Sequence, residues 1–324
     1  MAGLDVVGIG NALVDVTSSE EESFLDRHGL VKGTMALIDA SRAERLYSAM
    51  GTGVEVSGGQ AANTMAGLAS FGGDCAFIGR IADDQLGAVF AHDMAAVGVA
   101  YHQSPSNGSE PTGRCLVVVT PDGERTLNTF LGASAQLGPD DVGDDLLAGA
   151  ALTYLEGYLL DAEAGGRAFD KAVSVARGAG RRVALNLSDV LCVERHQLEL
   201  LALVEGGVDV LFANDGELSR LYGTDDADAA LTEAAAQCEV VAMTRGAAGC
   251  SVVVSGERHD VPAEPVARVL DTNGAGDLFA AGFLFGLSTD RHPRDCARLG
   301  AVAAAEIISH FGSRPEASLA DLAV

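Results

Sequence analysis

The sequence predicts an α/β protein built on a mainly parallel sheet, and two observations support this class. Short apolar runs alternate with longer segments of helical periodicity along most of the 324 residues. Such alternation is typical of βαβ units, whose helices cover both faces of a parallel sheet. Hydrophobic residues make up 48% of the chain, which is enough for a large core and argues against disorder. We therefore expect one elaborated domain over residues 1–324.

The predicted elements follow one another in a regular order. Core strands are predicted at residues 5–10, 75–79, 152–158, 183–187, 208–212, 240–244 and 266–270. Helices are predicted at residues 63–71, 85–97, 164–178, 227–237 and 294–308, with a further apolar helix opening after residue 276. The glycine pair at 72–73 closes the first of these helices, as glycine commonly does.

The charge and the cysteines bound the class of partner and the compartment. The formal net charge of −25 argues against a nucleic-acid binder or an anionic-membrane binder, because both need a basic surface. No uncharged apolar stretch reaches about 18 residues, and the first residues lack the basic segment of a signal peptide. Six scattered cysteines without a C-x-x-C pair make a disulfide framework or zinc site unexpected, so we expect a cytoplasmic protein.

Residues 271–277, Asp-Thr-Asn-Gly-Ala-Gly-Asp, are the most informative segment for chemistry. The small residues Gly274, Ala275 and Gly276 leave the amides of a helix start open to an anion. Asp277 repels an anion, so its presence there suggests a general base beside a phosphate pocket. That pair of features is the chemistry of moving a phosphoryl group onto a hydroxyl. A plain helix start, with Asp277 as a favourable first-turn charge, is the alternative.

Two regions interrupt the alternation and predict a smaller second sheet. Residues 33–39 and 53–57 look like short strands, and residues 114–130 predict a hairpin around Pro-Asp-Gly. A β-sheet lid would then comprise roughly residues 16–57 and 112–132. A lid suits phosphoryl transfer to an alcohol, because water otherwise competes as the acceptor. An ordinary surface insertion is the alternative.

Polar residues near the first strand and the first glycine pair are candidates for holding a sugar. Asn11 and Asp15 can bind vicinal hydroxyls as donor and acceptor, whereas Leu13 in place of a third glycine weakens a dinucleotide fingerprint. Gly59 allows close backbone approach, and Asn63 can face a ligand. The alternatives are a turn Asn11 with a solvated Asp15, and Asn63 as a helix N-cap.

Three further features suit the phosphate side of such a site. Asn214 and Glu217 have the spacing of a capping box, or of residues that orient the waters of a Mg²⁺ ion. The loop 244–249 either presents backbone to nucleotide phosphates or simply joins a hairpin. Arg125, on the predicted lid, is a positive charge able to reach a transferring phosphate. A P-loop lysine is excluded, because neither Lys32 nor Lys171 follows the required glycine spacing.

Together these segments resemble the ribokinase-like (pfkB) family of small-molecule kinases over nearly the whole chain. Residues 58–87 are similar to its N-terminal signature, residues 271–283 to its C-terminal signature, and residues 214–217 to its Asn-x-x-Glu motif. The resemblance implies a three-layer α/β/α core with a small β-sheet lid. It also implies ATP and Mg²⁺ as cofactors, and it leaves room for a monovalent cation such as K⁺.

Within the family, the chain is most similar to adenosine kinases. Residues 11–15 resemble their Asn-x-x-x-Asp ribose motif, residues 186–188 resemble their Asn-Leu-Ser segment, and Asn273 is a residue they commonly carry. Leu191 stands where those enzymes often place an aromatic ring over the purine. Tyr158 or Phe130 would have to supply a ring instead.

The resemblance also implies a role for each candidate residue. Asp277 would accept the proton of a primary hydroxyl, such as a ribose 5′-OH, while Arg125 assists from the lid. The anion hole would comprise Gly274, Ala275 and Gly276. The substrate would contact Asn11, Asp15, Gly59, Asn63, Phe130 and Tyr158. ATP and Mg²⁺ would lie along Asn214, Glu217 (through water), Thr244, Gly246, Gly249 and Asn273.

Three hypotheses for the substrate remain open at this point. The first is phosphorylation of adenosine to AMP, and the second is phosphorylation of ribose, fructose, inosine or guanosine by the same chemistry. The third is a non-catalytic nucleoside-binding protein, against which the intact Asp277 and its glycines argue. The predicted lid sheet suits a monomer's cover or a homodimer interface equally well.

Overall fold

A computed structural model describes residues 3–103 and 110–323, and its strands form two sheets. The strands are β1 Val6–Ile9, β2 Leu13–Ser19, β3 Met35–Leu37, β4 Val54–Gly58, β5 Cys75–Gly79, β6 Ala100–Gln103, β7 Gly113–Val119, β8 Arg125–Phe130, β9 Leu152–Glu156, β10 Arg182–Asn186, β11 Val210–Asn214, β12 Val240–Thr244, β13 Cys250–Val254 and β14 Glu257–Val261. The helices are α1 Glu22–His28, α2 Ala40–Ala49, α3 Gln60–Ser70, α4 Gln85–Ala96, α5 Asp144–Gly149, α6 Glu163–Gly178, α7 Val190–Gly206, α8 Asp215–Tyr222, α9 Ala227–Ala235, α10 Ala275–Ser288, α11 Pro293–Ile307 and α12 Leu319–Leu322.

The larger sheet has nine strands in the order β14-β13-β12-β11-β10-β9-β1-β5-β6. Its seven strands from β12 to β6 run parallel, and β13 and β14 add an antiparallel edge. Alternate strand residues point to opposite faces, so Val6 and Val7 enter different hydrophobic clusters. One cluster packs under α3, α4, α10 and α11, and the other packs under α6 to α9. The predicted three-layer α/β/α core with a mainly parallel sheet is confirmed.

The smaller sheet has five strands in the order β3-β8-β7-β2-β4. The predicted hairpin is its β7–β8 pair, and the short strands predicted at 33–39 and 53–57 are β3 and β4. Strand β2, which the sequence did not predict, joins this sheet immediately after Asn11. The two sheets therefore meet where the chain leaves β1. Whether the smaller sheet acts as a lid stays a prediction.

The strand predicted at residues 266–270 is wrong. That segment follows the edge strand β14 but pairs with no strand, and the amide of Leu270 donates to the carbonyl of Ile308 just past α11. Half of the Val269 side chain is exposed, so this apolar run is not a core strand. The segment also contains the charged Arg268, and a run this short does not by its pattern alone distinguish a strand from an extended connection.

The predicted start of α3 is also wrong, by one turn. Gly59, with φ 97°, is the N-cap residue, and the helix begins at Gln60. Asn63 therefore lies inside the helix, which rules out its alternative role as the N-cap. Glycine precedes this helix because a Cβ at Gly59 would come within 2.1 Å of the Asn11 carbonyl oxygen.

Two compositional expectations concern cysteines and membranes. All six cysteines fall within the described residues, where they are buried and unpaired. Within residues 3–103 and 110–323, no helix has the length and apolar character needed to cross a membrane.

Candidate active site

A cavity of about 610 Å³ lies between the carboxyl ends of the parallel strands and the smaller sheet. Ligands of open α/β sheets bind at this edge, because the chain leaves each strand there in a loop or a helix start. The residues that end or directly follow the core strands line the cavity: Asn11, Glu156, Asn186, Asn214 and Thr244. The smaller sheet contributes Leu13, Asp15, Met35, Leu37, Cys115, Leu127 and Thr129.

The first turn of α10 opens into this cavity without a capping side chain. Its N-cap residue is Gly274, whose φ of 79° favours glycine, and whose Cβ would press on Ser313 at 3.2 Å. A Cβ at Gly276 would meet no protein atom within 4 Å. Gly274, Ala275 and Gly276 all line the cavity. The open amides of this 14-residue helix therefore form a site for an anion.

Asp277 is the third residue of α10 and is only 8% exposed. Its Oδ2 accepts a hydrogen bond of 2.9 Å from Nδ2 of Asn63. Burial raises the pKa of Asp277 to about 6, although hydrogen bonds from Asn63 and Gln60 and the charge of Arg314 oppose that rise. A carboxylate with this pKa is ionised at neutral pH and is a stronger base than an ordinary aspartate. The geometry can thus remove a proton from a hydroxyl beside the anion site.

Asn11 is held by Glu156, a residue that the sequence interpretation missed. The backbone amide and Nδ2 of Asn11 each donate to Oε1 of Glu156 at 2.8 Å, and the amide of Ala61 donates to Oε2 at 2.7 Å. Burial raises the pKa of Glu156 to about 7, and the donated hydrogen bonds oppose the rise. Glu156 therefore joins the end of β1 to the first turn of α3. Its only sequence signal is an acidic residue that closes an apolar strand.

Asp15 lies on β2 and enters the cavity from the smaller sheet. Removal from water raises its pKa to about 6, and Arg314 is the main opposing charge. The hydroxyl of Ser313 donates to its Oδ2 over 3.4 Å. The predicted pair Asn11 and Asp15 thus faces one cavity from two sheets, with Gly59 and Asn63 lining the same space. This brings the four predicted sugar-binding residues together.

Asn214 and Glu217 form the predicted capping box at the start of α8. The amide of Glu217 donates to Oδ1 of Asn214, and the amide of Asn214 donates to Oε2 of Glu217, both at 2.8 Å. Nδ2 of Asn214 also donates to Oε1 of Glu217 at 2.6 Å. Burial raises the pKa of Glu217 to about 7. The capping interpretation is confirmed, and both residues also line the cavity.

The other nucleotide-side candidates divide into two groups. Thr244, Gly246 and Asn273 line the cavity. The loop 244–249 joins the antiparallel strands β12 and β13, so the hairpin interpretation is also confirmed. Gly249 stands outside the described cavity lining, and its Cβ would come within 2.1 Å of the Val261 carbonyl oxygen. Its observed contact is therefore structural, and any role toward ATP stays a prediction.

The two lid candidates lie away from the described cavity lining. Arg125 forms a largely buried ion pair with Asp271 at 2.7 Å, and its guanidinium also stacks near the Phe311 ring. Phe130 lines a separate cavity of about 270 Å³ at the smaller sheet. Neither residue lines the main cavity, and Arg125 is held by its ion pair with Asp271. Their roles toward phosphate and substrate stay predictions.

Tyr158 is the predicted ring residue that lines the main cavity. Its hydroxyl donates a hydrogen bond to the carboxylate of Asp189, the N-cap residue of α7, and its backbone amide donates to the Ser188 hydroxyl. Leu191, two residues after Asp189, is 50% exposed and stands outside the cavity lining. Of the two rings that the sequence suggested, Tyr158 is therefore the one at the main cavity, which Phe212 and Phe279 also line.

Comparison with known proteins agrees with this geometry. An adenosine kinase structure from Sinorhizobium meliloti is 48% identical, with a TM-score of 0.94 and 99% of each chain covered. A probable sugar kinase structure from Rhizobium etli CFN 42 is 45% identical, with a TM-score of 0.94, covering 100% of this chain and 98% of that one. A fructokinase from Klebsiella pneumoniae is 31% identical over 76% of this chain and 81% of its own length.

The family model described as pfkB family carbohydrate kinase matches residues 30–319, which is most of the chain. Kinases of this family transfer a phosphoryl group from ATP, and the site described above has an uncapped helix start with the carboxylate of Asp277 beside it. The chain belongs to the pfkB family of carbohydrate kinases and is an ATP-dependent phosphotransferase.

Proposed function

We propose that this enzyme phosphorylates the 5′-hydroxyl of a nucleoside, and that adenosine, converted to AMP, is its substrate. The observation that carries the proposal is the position of Asp277 beside the uncapped start of α10, in one cavity with Asn11 and Asp15. A primary hydroxyl attached to a vicinal diol matches that arrangement. Similarity to the Sinorhizobium adenosine kinase also extends over more of the chain, at higher identity, than similarity to the Klebsiella fructokinase.

The proposed reaction assigns each residue one task. The carboxylate of Asp277 takes the proton of the 5′-hydroxyl as its oxygen bonds to the γ-phosphorus of ATP. The bond from that phosphorus to the β,γ-bridging oxygen breaks, and ADP leaves with the electron pair. The amides of Gly274, Ala275 and Gly276 stabilise the charge on the transferred group. Arg125 would add a positive charge if the smaller sheet closes as a lid.

The ribose would be held by the residues that face the cavity from both sheets. Asn11 and Asp15 would bind the 2′- and 3′-hydroxyls. Asn63 directs Nδ2 to Asp277, while its buried Oδ1 has no partner among the described residues and is free to accept from a hydroxyl. Gly59 brings its backbone close to Asn11. Tyr158 would pack against the base, since Phe130 lies in the separate cavity.

Mg²⁺ is the metal that these residues fit. Each carboxylate oxygen of Glu217 accepts one hydrogen bond in the capping box and retains a lone pair for a metal-bound water. Asn214 and Glu217 would orient such waters, and Mg²⁺ often keeps several waters and few protein ligands. The ion would neutralise charge on the phosphates of ATP. Thr244, Gly246 and Asn273 would lie along the nucleotide, with Gly249 supporting the loop 244–249.

A sugar such as ribose or fructose, or inosine or guanosine, is the second candidate substrate. The fructokinase similarity and the aliphatic Leu191 favour the free sugars among these. All these acceptors offer a primary hydroxyl next to further hydroxyls, so the same residues would act on them. In the proposed role, the enzyme would return free adenosine to the nucleotide pool in the cytoplasm.

The test is ADP release from ATP with Mg²⁺, with adenosine, inosine, guanosine, ribose and fructose offered separately. Adenosine should give a kcat/KM at least tenfold above every other acceptor. A higher value for a free sugar would replace the nucleoside assignment and leave the chemistry in place. Absence of turnover with all five acceptors would contradict the proposal, provided that the protein is folded by circular dichroism.

A further inference from the structure

Arg314, in the loop after α11, lies beside the site without lining its cavity. Its Nε donates to the Ser57 carbonyl oxygen at 3.0 Å, Nη1 to the Ala62 carbonyl at 2.5 Å and Nη2 to the Ser57 hydroxyl at 3.0 Å. Ser57 lies near the end of β4, two residues before Gly59, and Ala62 lies in the first turn of α3. One guanidinium therefore joins the two sides of the turn that carries Gly59 and precedes Asn63.

The residues just before Arg314 contact the rest of the site. The amide of Gly312 donates to Oδ2 of Asp271, and the hydroxyl of Ser313 donates to Oδ2 of Asp15. Ser313 also packs against Gly274, the residue that starts α10. Residues 312–314 thus connect three separate elements of the candidate site within one short stretch of chain.

The guanidinium has no carboxylate partner within ion-pair distance among the described residues. Its described hydrogen bonds all go to neutral acceptors: the carbonyl and hydroxyl of Ser57, the carbonyl of Ala62 and the sulfur of Met94. Asp15, Asp277 and Asp93 are the acidic groups that face its charge. A positive charge held by neutral groups remains available to act on nearby carboxylates.

We propose that Arg314 is a positioning residue of this phosphotransferase, which holds the Gly59 turn against the site and supplies the positive charge facing Asp15 and Asp277. The inference rests on the proposed role of Asp277 as the base. It extends that role, because the loop after α11 then controls both the shape of the acceptor site and the ionisation of Asp15 and Asp277.

Other titratable groups also face the carboxylates of Asp15 and Asp277. Asp277 faces Asp15, Glu156, Glu217 and the hydroxyl of Tyr154. Asp15 faces Arg125 from β8, Asp271 from the loop before α10 and Cys115 from β7. The charge of Arg314 opposes the raised pKa of Asp15 more strongly than any other neighbouring charge does, and it also opposes the raised pKa of Asp277. Its removal should therefore raise both pKa values.

The experiment compares Arg314→Gln and Arg314→Lys with wild type in the pH dependence of kcat/KM. Arg314→Gln removes the charge, so the acidic midpoint should rise by roughly one pH unit. Arg314→Lys keeps a charge but loses the forked donors, so the midpoint should stay while KM for the acceptor rises about tenfold. Arg298→Gln is the matched control, because the Arg298 side chain is 66% exposed on α11 and, among the described residues, its ion pair is with Glu264. It should leave both quantities unchanged.

Any one of three results would overturn the inference. A midpoint for Arg314→Gln equal to that of Arg298→Gln would remove the electrostatic role. Equal midpoint shifts in Arg314→Gln and Arg314→Lys would show that distortion, rather than charge, produces the effect. A KM for the acceptor that stays at the wild-type value in Arg314→Lys would contradict the positioning of the Gly59 turn.

A direct titration separates this inference from the proposed function. In protein labelled with ¹³C at the aspartate carboxyl carbons, Asp15→Asn and Asp277→Asn identify the two signals. Their midpoints should be higher in Arg314→Gln than in Arg298→Gln, whether or not the enzyme phosphorylates adenosine. Unchanged midpoints would contradict the inference even if adenosine kinase activity is found.

Discussion

Helices α8 and α10 both begin at the cavity, and both place a buried carboxylate at their third residue. In α8, Glu217 turns back to accept from Asn214, and Asn214 accepts from the amide of Glu217. In α10 the N-cap residue is Gly274, no side chain caps the helix, and Asp277 accepts instead from Asn63 of α3. The side chains of Asn214 and Glu217 cap the start of α8, which we call the closed helix start. No side chain caps the start of α10, which we call the open helix start.

Burial alone does not separate these two carboxylates. The pKa of Glu217 is raised to about 7 and that of Asp277 to about 6, in each case mainly by removal from water. Their hydrogen-bond partners do separate them, because the capping box uses Glu217 for local structure while the open helix start leaves its amides to an anion. The proposed catalytic role of Asp277 therefore rests on what surrounds this acid, and not on the size of its pKa shift.

The largest expected effect comes from Asp277→Asn, which keeps the shape of the open helix start and removes its base. We expect kcat to fall by about 10²–10⁴, the usual contribution of a general base. Steady-state ADP release measures this, with ATP affinity determined separately by calorimetry. Wild-type kcat/KM should also fall below pH 6, about tenfold per pH unit, because the proton that Asp277 binds there blocks its role.

Glu217→Gln is the matched control for this loss, since it neutralises the third residue of the closed helix start. A similar fall in kcat at saturating Mg²⁺ would erase the proposed distinction between the two helices. Turnover near the wild-type level in Asp277→Asn would show that Asp277 is not the base.

The second prediction concerns the second residue of each helix, which is glycine in both. A Cβ at Gly276 meets no protein atom within 4 Å, whereas one at Gly216 lies 3.3 Å from Oδ1 of Asn214. Gly276→Ala should lower kcat about tenfold and Gly276→Leu by about 10²–10³, because their side chains stand where a phosphoryl group approaches the amides. Thermal melting should show both variants folded, since the site has space and alanine favours a helix.

Gly216→Ala supplies the comparison for that series. It changes the same helical position next to a capping box, so kcat should remain within about twofold of wild type. If Gly276→Ala is as active as Gly216→Ala, close approach to the α10 amides is not needed.

The third prediction concerns the charge of Glu217 at the closed helix start of α8. Glu217→Gln keeps the size of the side chain but removes the charge that would orient metal-bound water. The Mg²⁺ concentration for half-maximal rate should rise by about 10-fold to 100-fold, as for other residues that support a metal through water. Titration of Mg²⁺ at fixed ATP measures it, and an unchanged requirement would leave Glu217 with its capping role alone.

Much of this comparison was accessible from the sequence, because it depends on local patterns. The turn before α10 and the Asn-x-x-Glu spacing of α8 are contiguous motifs, and the alternation of apolar runs gave the parallel sheet. The four sugar-side candidates were also contiguous with glycines or strand ends. The rule that the carboxyl ends of parallel strands share an edge places only Asn11 of these four at the cavity. Asp15 lies on the smaller sheet, and Gly59 and Asn63 follow its strand β4, so their arrival at the same cavity depends on how the two sheets meet.

The missing parts depend on contacts between residues far apart in sequence. Glu156 reaches Asn11 across 145 positions, and Arg314 reaches Ser57 across 257. Neither residue belongs to a local motif, so no periodicity or spacing identifies it. The position of Arg125 outside the main cavity could not be foreseen for the same reason. Its partner Asp271 is 146 positions away, and neither segment alone indicates the pairing.

The smallest effect concerns stability, where the open helix start should be the weaker of the two. The folded pKa of Asp277, about 6, exceeds its ordinary value of 3.8, so the folded state holds this proton more tightly. The stability it contributes is complete below about pH 4 and is lost as pH rises through about 6. The ionised group then costs up to about 3 kcal/mol, and Asp277→Asn should recover on the order of 1 kcal/mol at pH 8.

Thermal melting at pH 8 and pH 5 tests this cost. Asp277→Asn should melt a few degrees above wild type at pH 8, and the difference should shrink at pH 5, where the wild-type carboxyl is largely protonated. Glu217→Gln should gain less at pH 8, because its carboxylate already accepts two hydrogen bonds in the capping box that the amide replaces only in part. If Asp277→Asn melts below wild type at both pH values, the contact with Asn63 outweighs the cost of the buried charge. The open helix start would then be a stabilising feature of the fold, and its charge would not reflect a compromise between stability and catalysis.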